Sequence, residues 1–277
     1  MTEKMKTNYP SVRFAFTEDL KNISSNGVCL LPEWICYAMS ESVINAGWIP
    51  LFYPVCSPES SSIPCQLDVL ELLKLLQQYN EHQCVLLLAH PLGYIDPNVD
   101  LILNKYYNYN SQFKIFLDLA QSYGEYDFSL QISKAHRSYI SFNGRKLINS
   151  GGAIAFSNIN TDLDEYNTLL ELLKKIASKN FSSSGALFER LSHDRVINLT
   201  ENRFNTRSNR SAPLRTVLQK TSINSSIDKL QKEGIGQSFH PTPQYNLKNP
   251  SNSYLQWERK YFLFFHQPRE LTNDSRD

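Results

Sequence analysis

The alternation of short apolar runs with helix-length segments constrains this chain more than any other feature. Helices are predicted at 34–46, 67–79 and 98–108, where apolar residues recur at helical spacing. This alternation predicts an α/β fold with a mostly parallel sheet and helices on both faces. Most of the apolar runs are bounded by Pro, Gly, Asn or Asp, as buried strands commonly are; they are VCLL (28–31), IPLFYPV (49–55), CVLLLA (84–89), KIFL (114–117) and AIAF (153–156).

The character of the sequence changes after Ser157. A helix is predicted over 162–177, and the residues that follow it are rich in Ser, Asn and Arg, which is typical of a linker. The strings LRTVL, SSIDKLQKEGI and YFLFFHQP then predict a strand, a helix and a closing apolar stretch. We expect a large domain over 1–177, a linker or lid over 178–213 and a small C-terminal α+β lobe over 214–277.

Composition excludes several classes of function. With 28 Lys+Arg against 27 Asp+Glu, the chain lacks the basic excess of a nucleic-acid binder. Its longest apolar run is far shorter than the ~20 residues that span a bilayer, and no signal peptide is recognisable. We therefore expect a soluble, cytoplasmic protein that contacts neither nucleic acid nor membrane. Reduced thiols and no metal site are expected because metal-ligand spacing is absent from the five cysteines, Cys29, Cys36, Cys56, Cys65 and Cys84.

Asp118 stands at the end of the KIFL run, and Gln121 follows it closely. The carboxyl ends of parallel strands face the ligand crevice, where an ion-paired carboxylate can hold a cationic group. The alternative is an Asp that caps a following helix.

Lys146 follows Ser141-Phe142 by a short turn and precedes the pair Gly151-Gly152. A lysine held inside an apolar site would have a lowered pKa and could act as an amine nucleophile. The alternative is a solvated surface lysine, with the two glycines forming a tight turn.

Read in order, these strings resemble a known family. LLPEWICYAMSESVINAGWIPLFYPV, VLLLAHPLGYID, IFLDLAQSYG and ISFNGRKLINSGGAIAF are similar to the DegT-like sugar aminotransferases, which are fold type I pyridoxal-phosphate enzymes. The likeness covers roughly residues 28–157, and a weaker one covers the C-terminal strings. It implies a pyridoxal 5'-phosphate (PLP) cofactor and a homodimer.

The resemblance also implies roles for individual residues. Lys146 would bond to the cofactor aldehyde and later shuttle a proton, while Asp118 would pair with the protonated pyridine nitrogen. Gln121 would lie near the phenolic oxygen of the cofactor, and Ser141 would donate a hydroxyl to its phosphate. His90 would lie near the ring, although a core or capping histidine explains it equally well.

Two further features of the family are harder to place in this chain. Stacking on the cofactor ring is assigned to Trp34, with Cys36 and Tyr37 as alternative positions. The Gly-Ser or Gly-Thr turn that binds phosphate is replaced by FAFTEDLKNISSNG, in which Thr17 is the best-placed hydroxyl.

The resemblance implies an aminotransferase that acts on a keto-sugar, nucleotide-linked, with glutamate as the amino donor, in the synthesis of surface polysaccharide or glycosides. A degenerate relative that serves as a binding or partner subunit is the alternative. A third reading is another PLP reaction on the same scaffold, since cofactor residues do not choose the reaction.

Overall fold

A seven-stranded mixed sheet forms the centre of the chain in the computed structural model, with helices on both faces and a three-stranded sheet beyond it. The described residues are 6–79, 83–106, 113–143, 146–157, 163–195, 204, 210–213, 215–222, 236–238 and 249–265. Their strands are β1 (Lys6–Tyr9), β2 (Val28–Pro32), β3 (Ile49–Tyr53), β4 (Cys84–Ala89), β5 (Phe113–Asp118), β6 (Arg137–Ser141), β7 (Ala153–Ser157), β8 (Arg215–Gln219), β9 (Gly236–Ser238) and β10 (Tyr261–Phe265). Their α-helices are α1 (Val12–Ile23), α2 (Tyr37–Asn45), α3 (Val69–Gln78), α4 (Pro97–Tyr106), α5 (Ser129–Lys134), α6 (Leu163–His193) and α7 (Asn252–Lys260).

The large sheet has the strand order β1-β7-β6-β5-β4-β2-β3. Strands β2 to β6 run parallel, whereas β7 is antiparallel to both β6 and β1. The carboxyl ends of β2 to β6 and of β1 therefore meet at one edge, which we call the carboxyl edge. This topology confirms the predicted α/β class and the mostly parallel sheet.

Each face of the sheet carries its own hydrophobic core. Leu30, Leu86 and Leu117 point to one face and pack with residues of α3, α4, α5 and α6. Cys29, Leu87 and Phe116 point to the other face and pack with α1 and α2. Since successive residues of β2, β4 and β5 alternate between two buried faces, these strands are apolar throughout, as the sequence runs indicated.

Helix α1 was not predicted from the sequence. Ser11 caps it, and the Ser11 hydroxyl accepts a hydrogen bond from Phe14 N at 3.2 Å. On the inner face of this helix, Ala15, Phe16 and Leu20 are fully buried. Most of the stretch FAFTEDLKNISSNG, which departs from the family pattern, lies in α1.

Beyond β7 the predicted helix over 162–177 continues to His193 as part of α6. The boundary expected between residues 177 and 178 falls inside this helix, and the division into three domains stays a prediction. The helix predicted from SSIDKLQKEGI lies outside the described residues.

The small lobe consists of the antiparallel sheet β8-β10-β9 and helix α7. It is joined to the large lobe by hydrogen bonds at its helix. The Glu33 carboxylate accepts hydrogen bonds from Ser251 N at 2.7 Å and Ser251 Oγ at 2.5 Å, and Trp257 Nε1 donates to the Cys56 carbonyl at 2.9 Å. The small α+β lobe predicted from the sequence is thus confirmed for the described residues.

Candidate active site at the carboxyl edge of the sheet

The predicted site residues converge on the carboxyl edge because three neighbouring strands end there. Asp118 ends β5 and is paired with Ala89 of β4 on one side and Tyr139 of β6 on the other. His90 directly follows β4, and Ser141 ends β6. Strand pairing therefore places the candidate acid between the candidate histidine and the candidate hydroxyl.

Asp118 is only 7% exposed, yet it has few partners. Among the described residues its carboxylate accepts one hydrogen bond, from Ala120 N at 2.8 Å. Burial raises its pKa, while that hydrogen bond and the positive charge of Lys146 oppose the increase. The capping role considered from the sequence uses one carboxylate oxygen and leaves the electrostatic link to Lys146 in place.

Lys146 brings its amine to the same buried region. Burial and the nearby guanidinium of Arg215 lower the pKa of Lys146 to about 8, against the opposing influence of Asp118 and Cys36. An ordinary lysine has a pKa of about 10.4 and is almost fully protonated at neutral pH. More of the Lys146 amine is therefore in the neutral form than in an ordinary lysine at the same pH, and its role as a nucleophile stays a prediction.

The turn around Lys146 depends on two glycines and on Asn143. Gly151 and Gly152 have φ angles of +80° and +84°, a region that favours glycine. Phe142 N donates to the Gly152 carbonyl at 2.9 Å, and Gly152 N donates to Asn143 Oδ1 at 3.0 Å. Asn143 Nδ2 also donates to the Pro10 carbonyl at 2.8 Å, which ties this turn to the start of α1. Sequence analysis anticipated the glycines but missed Asn143, whose partner is 133 positions away.

Ser141 and the start of α1 lie close together at the same edge. Ser141 and Tyr9 both pair with Ala153, so they are two strands apart, about 10 Å. Ser141 is buried, and its hydroxyl accepts a hydrogen bond from Asn143 N at 3.3 Å. The hydroxyl beside the first turn of α1 belongs to Ser11. The expectation for Thr17 was wrong, because Thr17 lies in the middle of α1 and donates to the Ser42 carbonyl at 3.4 Å.

His90 is fully engaged by the protein. Its Nδ1 accepts a hydrogen bond from Asp96 N at 2.9 Å, so Nε2 carries the proton and donates to Gln131 Oε1 at 2.6 Å. Burial lowers its pKa to about 4, which keeps the ring neutral. The ring packs against Phe128, with 5.1 Å between the centroids. These contacts describe a core histidine; its contact with a cofactor stays a prediction.

Gln121 has an unexpected partner from the small lobe. Arg215 Nη1 donates to Gln121 Oε1 at 2.6 Å, so the first residue of β8 reaches the loop after β5. Sequence analysis missed Arg215, because a charged residue at a strand start carries no signal of a contact 94 positions away. The predicted contact of Gln121 with the cofactor stays a prediction.

Trp34 lies in the aromatic cluster between the two lobes. Its ring packs against Tyr254 with 5.7 Å between centroids, in a cluster that also contains Trp257 and Phe204. Cys36, the alternative position, lies near enough to influence the pKa of Lys146. Stacking of Trp34 on a cofactor ring stays a prediction.

Arg210 belongs to the segment 178–213 that was predicted as a linker or lid, and it is only 8% exposed. Its guanidinium lies over the rings of Tyr94 and Phe181, at 5.0 and 5.7 Å from the centroids. Arg203, Asn205 and Arg207 of the same segment lie outside the described residues.

Comparison with solved structures places this fold among the aminotransferases. PseC from Helicobacter pylori, an aminotransferase involved in the biosynthesis of pseudoaminic acid, is 16% identical with a TM-score of 0.64, covering 94% of this chain and 81% of that one. A protein from Bacillus cereus assigned as a PLP-dependent aminotransferase is 11% identical with a TM-score of 0.66, covering 95% and 82%. NtdA from Bacillus subtilis, solved with bound cofactor PMP, is 13% identical with a TM-score of 0.62, covering 95% and 69%.

The chain therefore has the fold of these aminotransferases, as its sequence resemblance implied. No family model and no curated protein matches the sequence.

Three further features concern the cysteines, metal sites and long helices of the described residues. The five cysteines form no disulfide. No cluster of three or more His, Cys, Asp or Glu side chains suited to a metal ion occurs in the described part of the chain. None of the described helices is both long and apolar enough to cross a membrane.

Proposed function

We propose that this chain is a PLP-dependent aminotransferase whose cofactor binds at the carboxyl edge, with Lys146 and Asp118 as its catalytic residues. One observation carries the proposal: the half-buried Lys146, whose pKa is lowered, lies near the buried Asp118, whose carboxylate accepts one hydrogen bond among the described residues. Likeness in fold to aminotransferases, one of them with bound PMP, supports it.

The donor set suits the cofactor. When bound, PLP supplies an aldehyde for amine capture and a protonated pyridine ring that accepts electrons from the substrate. The neutral amine of Lys146 would be the nucleophile that holds the cofactor through this aldehyde, and it would move a proton at the substrate carbon. The carboxylate of Asp118 would stabilise the pyridinium charge, because an acid beside a cation remains ionised despite its burial.

The other predicted residues, together with Ser11 from the structure, are proposed to orient the cofactor. Ser141 and Ser11 provide hydroxyls near the first turn of α1, where backbone amides and the helix dipole favour an anion such as phosphate. His90 positions the loop after β4 through its bonds to Asp96 and Gln131. Gln121 and Trp34 remain proposed cofactor contacts.

For the substrate, we propose a keto-sugar, nucleotide-linked, with glutamate as the amino donor, in surface-polysaccharide or glycoside biosynthesis in the cytoplasm. Likeness to PseC supports an aminated sugar as product. We also propose a homodimer. Two large apolar side chains beside the carboxyl edge support it, since Phe14 is 50% exposed and Tyr37 is 43% exposed in the first turns of α1 and α2.

The proposal is tested by adding PLP to the purified protein. A new visible absorbance band is expected, and borohydride should then fix the cofactor on Lys146, which peptide mass spectrometry can locate. Adding glutamate should bleach the band if the protein transfers amino groups.

Two results would contradict the proposal. Attachment spread over several exposed lysines would remove Lys146 from its role. A band on Lys146 that no amino acid bleaches would exclude amino transfer and leave another PLP reaction.

The second candidate is a degenerate relative that acts as a binding or partner subunit. The start of α1 favours it, because Pro10 has no amide hydrogen and the Ser11 hydroxyl already accepts from Phe14 N. A protein that shows no spectral change with PLP up to millimolar concentration, yet unfolds cooperatively, would support this second candidate.

A further inference from the structure

Arg215 connects the small lobe to the candidate site. It is the first residue of β8, it is half-buried, and its Nη1 donates to Gln121 Oε1 at 2.6 Å. Gln121 lies only three residues after Asp118. The hydrogen bond therefore brings a permanent positive charge from one lobe to the loop that carries the candidate acid of the other.

The backbone around Arg215 is fixed by its neighbours. The buried Arg210 donates from Nη2 to the Arg215 carbonyl. Between them, Ser211 N donates to the Gly93 carbonyl and Glu125 N donates to the Ser211 carbonyl, both at 2.9 Å. Because these hydrogen bonds fix the backbone before and at the start of β8, the backbone position from which the Arg215 side chain extends is fixed.

Three charged or titratable groups act on the Lys146 amine. The Arg215 guanidinium favours the neutral amine, whereas the carboxylate of Asp118 and the thiol of Cys36 favour the ammonium. Arg215 is the only one of the three that belongs to the small lobe. Through Arg215, the small lobe therefore contributes a positive charge near the lysine, in addition to the larger effect of burial.

We propose that Arg215 is a positioning residue for Lys146: held by Gln121, it couples docking of the small lobe to the reactivity of the lysine amine. The proposal builds on the proposed role of Lys146 as the nucleophile. It assigns to the small lobe a part in activating that nucleophile before any substrate is present.

The test measures protonation of Lys146 directly, without cofactor. The full-length protein is pulsed with acetic anhydride over a pH series, and acetylation of Lys146 is measured by peptide mass spectrometry relative to the exposed Lys174. In the unmodified protein, Lys146 should titrate with a midpoint near pH 8. In Arg215→Met the midpoint should rise by about one unit, which lowers acetylation at pH 8 about fivefold.

Three further variants distinguish the effect of the Arg215 charge from the effect of its contact with Gln121 and from the effect of any other charge in the small lobe. Arg215→Lys keeps the charge and should restore most of the shift, a rescue that a merely structural role would not produce. Gln121→Leu removes the acceptor and should raise the midpoint by less than Arg215→Met does. Arg259→Met removes an equal charge from the exposed end of α7 in the same lobe and should leave the midpoint unchanged.

A midpoint in Arg215→Met equal to that of the unmodified protein would overturn the inference, as would an equal shift in Arg259→Met. Circular dichroism and the melting temperature identify any variant that fails to fold. If Arg215→Met does not fold, the midpoint of Arg215→Lys decides. A midpoint near that of the unmodified protein supports the inference, and a midpoint raised by about one pH unit overturns it. Since no cofactor is used, a protein that ignores PLP but shows these shifts would contradict the proposed function alone.

Discussion

Asp19 and Asp118 are almost equally buried, at 8% and 7% exposure, but their surroundings differ. Asp19 lies on α1 against β6, where its Oδ2 accepts hydrogen bonds from Arg137 Nε at 2.9 Å and Tyr139 Oη at 2.7 Å. Arg137 in turn donates to Ser157 Oγ and Tyr9 Oη, at 2.6 and 3.2 Å. This acid is fully compensated by the protein.

Asp118 lies at the end of the next strand, with one backbone hydrogen bond and no ion pair within contact distance among the described residues. A buried carboxylate normally requires a cation and several hydrogen bonds. The fold thus supplies a cation and a hydroxyl to Asp19 but only a backbone amide to Asp118 among the described residues, as expected if the proposed cofactor contacts Asp118. The predictions below test that difference, beginning with the lysine that accompanies Asp118.

The largest expected effect comes from Lys146→Ala. If amino transfer is the reaction, its rate should fall about 10⁴-fold, the upper end of what a positioned acid/base group contributes. Stopped-flow spectroscopy with PLP and glutamate measures it. Lys174→Ala is the control, because Lys174 is exposed and its pair with Glu171 is worth little. Comparable losses in the two variants would contradict the assignment.

Asp19→Ala should lower the free energy of unfolding by about 3 kcal/mol, since it leaves the half-buried Arg137 guanidinium without its counter-charge. Urea denaturation followed by circular dichroism measures the change. The neighbouring Glu18→Ala breaks only the exposed pair with Lys21 and should change stability by less than about 1 kcal/mol. A loss in Asp19→Ala no larger than this control would show that the network stabilises little.

Asp118→Asn should show the opposite pattern to Asp19→Ala, with a large loss of activity and a small loss of stability. We expect turnover to fall about 100-fold, because the counter-charge for the cofactor ring is lost, while PLP still binds. Stability should change by less than about 1 kcal/mol, because the amide oxygen can still accept from Ala120 N. Unchanged turnover would remove Asp118 from the proposed site.

The smallest effect is a dependence of stability on pH. Burial raises the pKa of Asp118 in the folded protein, so the folded state holds this proton more tightly than the unfolded state does. Its contribution to the free energy of unfolding is therefore greatest below the ordinary Asp pKa of 3.8 and decreases as pH rises through the higher, folded value. Asp118→Asn lacks this proton, so its stability relative to the unmodified protein should increase with pH across that window. Urea titrations in steps of half a pH unit measure it, and a difference that does not vary with pH would be contrary evidence.

Five of the seven strands of the large sheet, β2 to β5 and β7, were predicted from the sequence because burial on both faces produces continuous apolar runs, whereas β1 and β6 were not predicted. The family resemblance is what brought Asp118, Ser141 and Lys146 together as one predicted site, and the structure places Asp118 and Ser141 at the ends of the neighbouring strands β5 and β6. Sequence analysis missed α1, whose first residues follow a proline and whose polar Thr17 and Glu18 obscure the buried face. Asn143 and Arg215 could not be found, because each acts through a partner 94 or more positions away.

Two glycines admit the chain that carries Arg215 to the site. A Cβ atom on Gly93 would lie 2.3 Å from the Ala212 carbonyl oxygen, and one on Gly124 would lie 2.1 Å from that of Ser211. Where the two lobes meet, the backbone of the large lobe thus packs directly against the backbone of residues 211 and 212, with no side chain between them. Anyone who grafts a different small lobe onto this scaffold must keep both glycines together with residues 210–213, because the crossing has no room for a single methyl group.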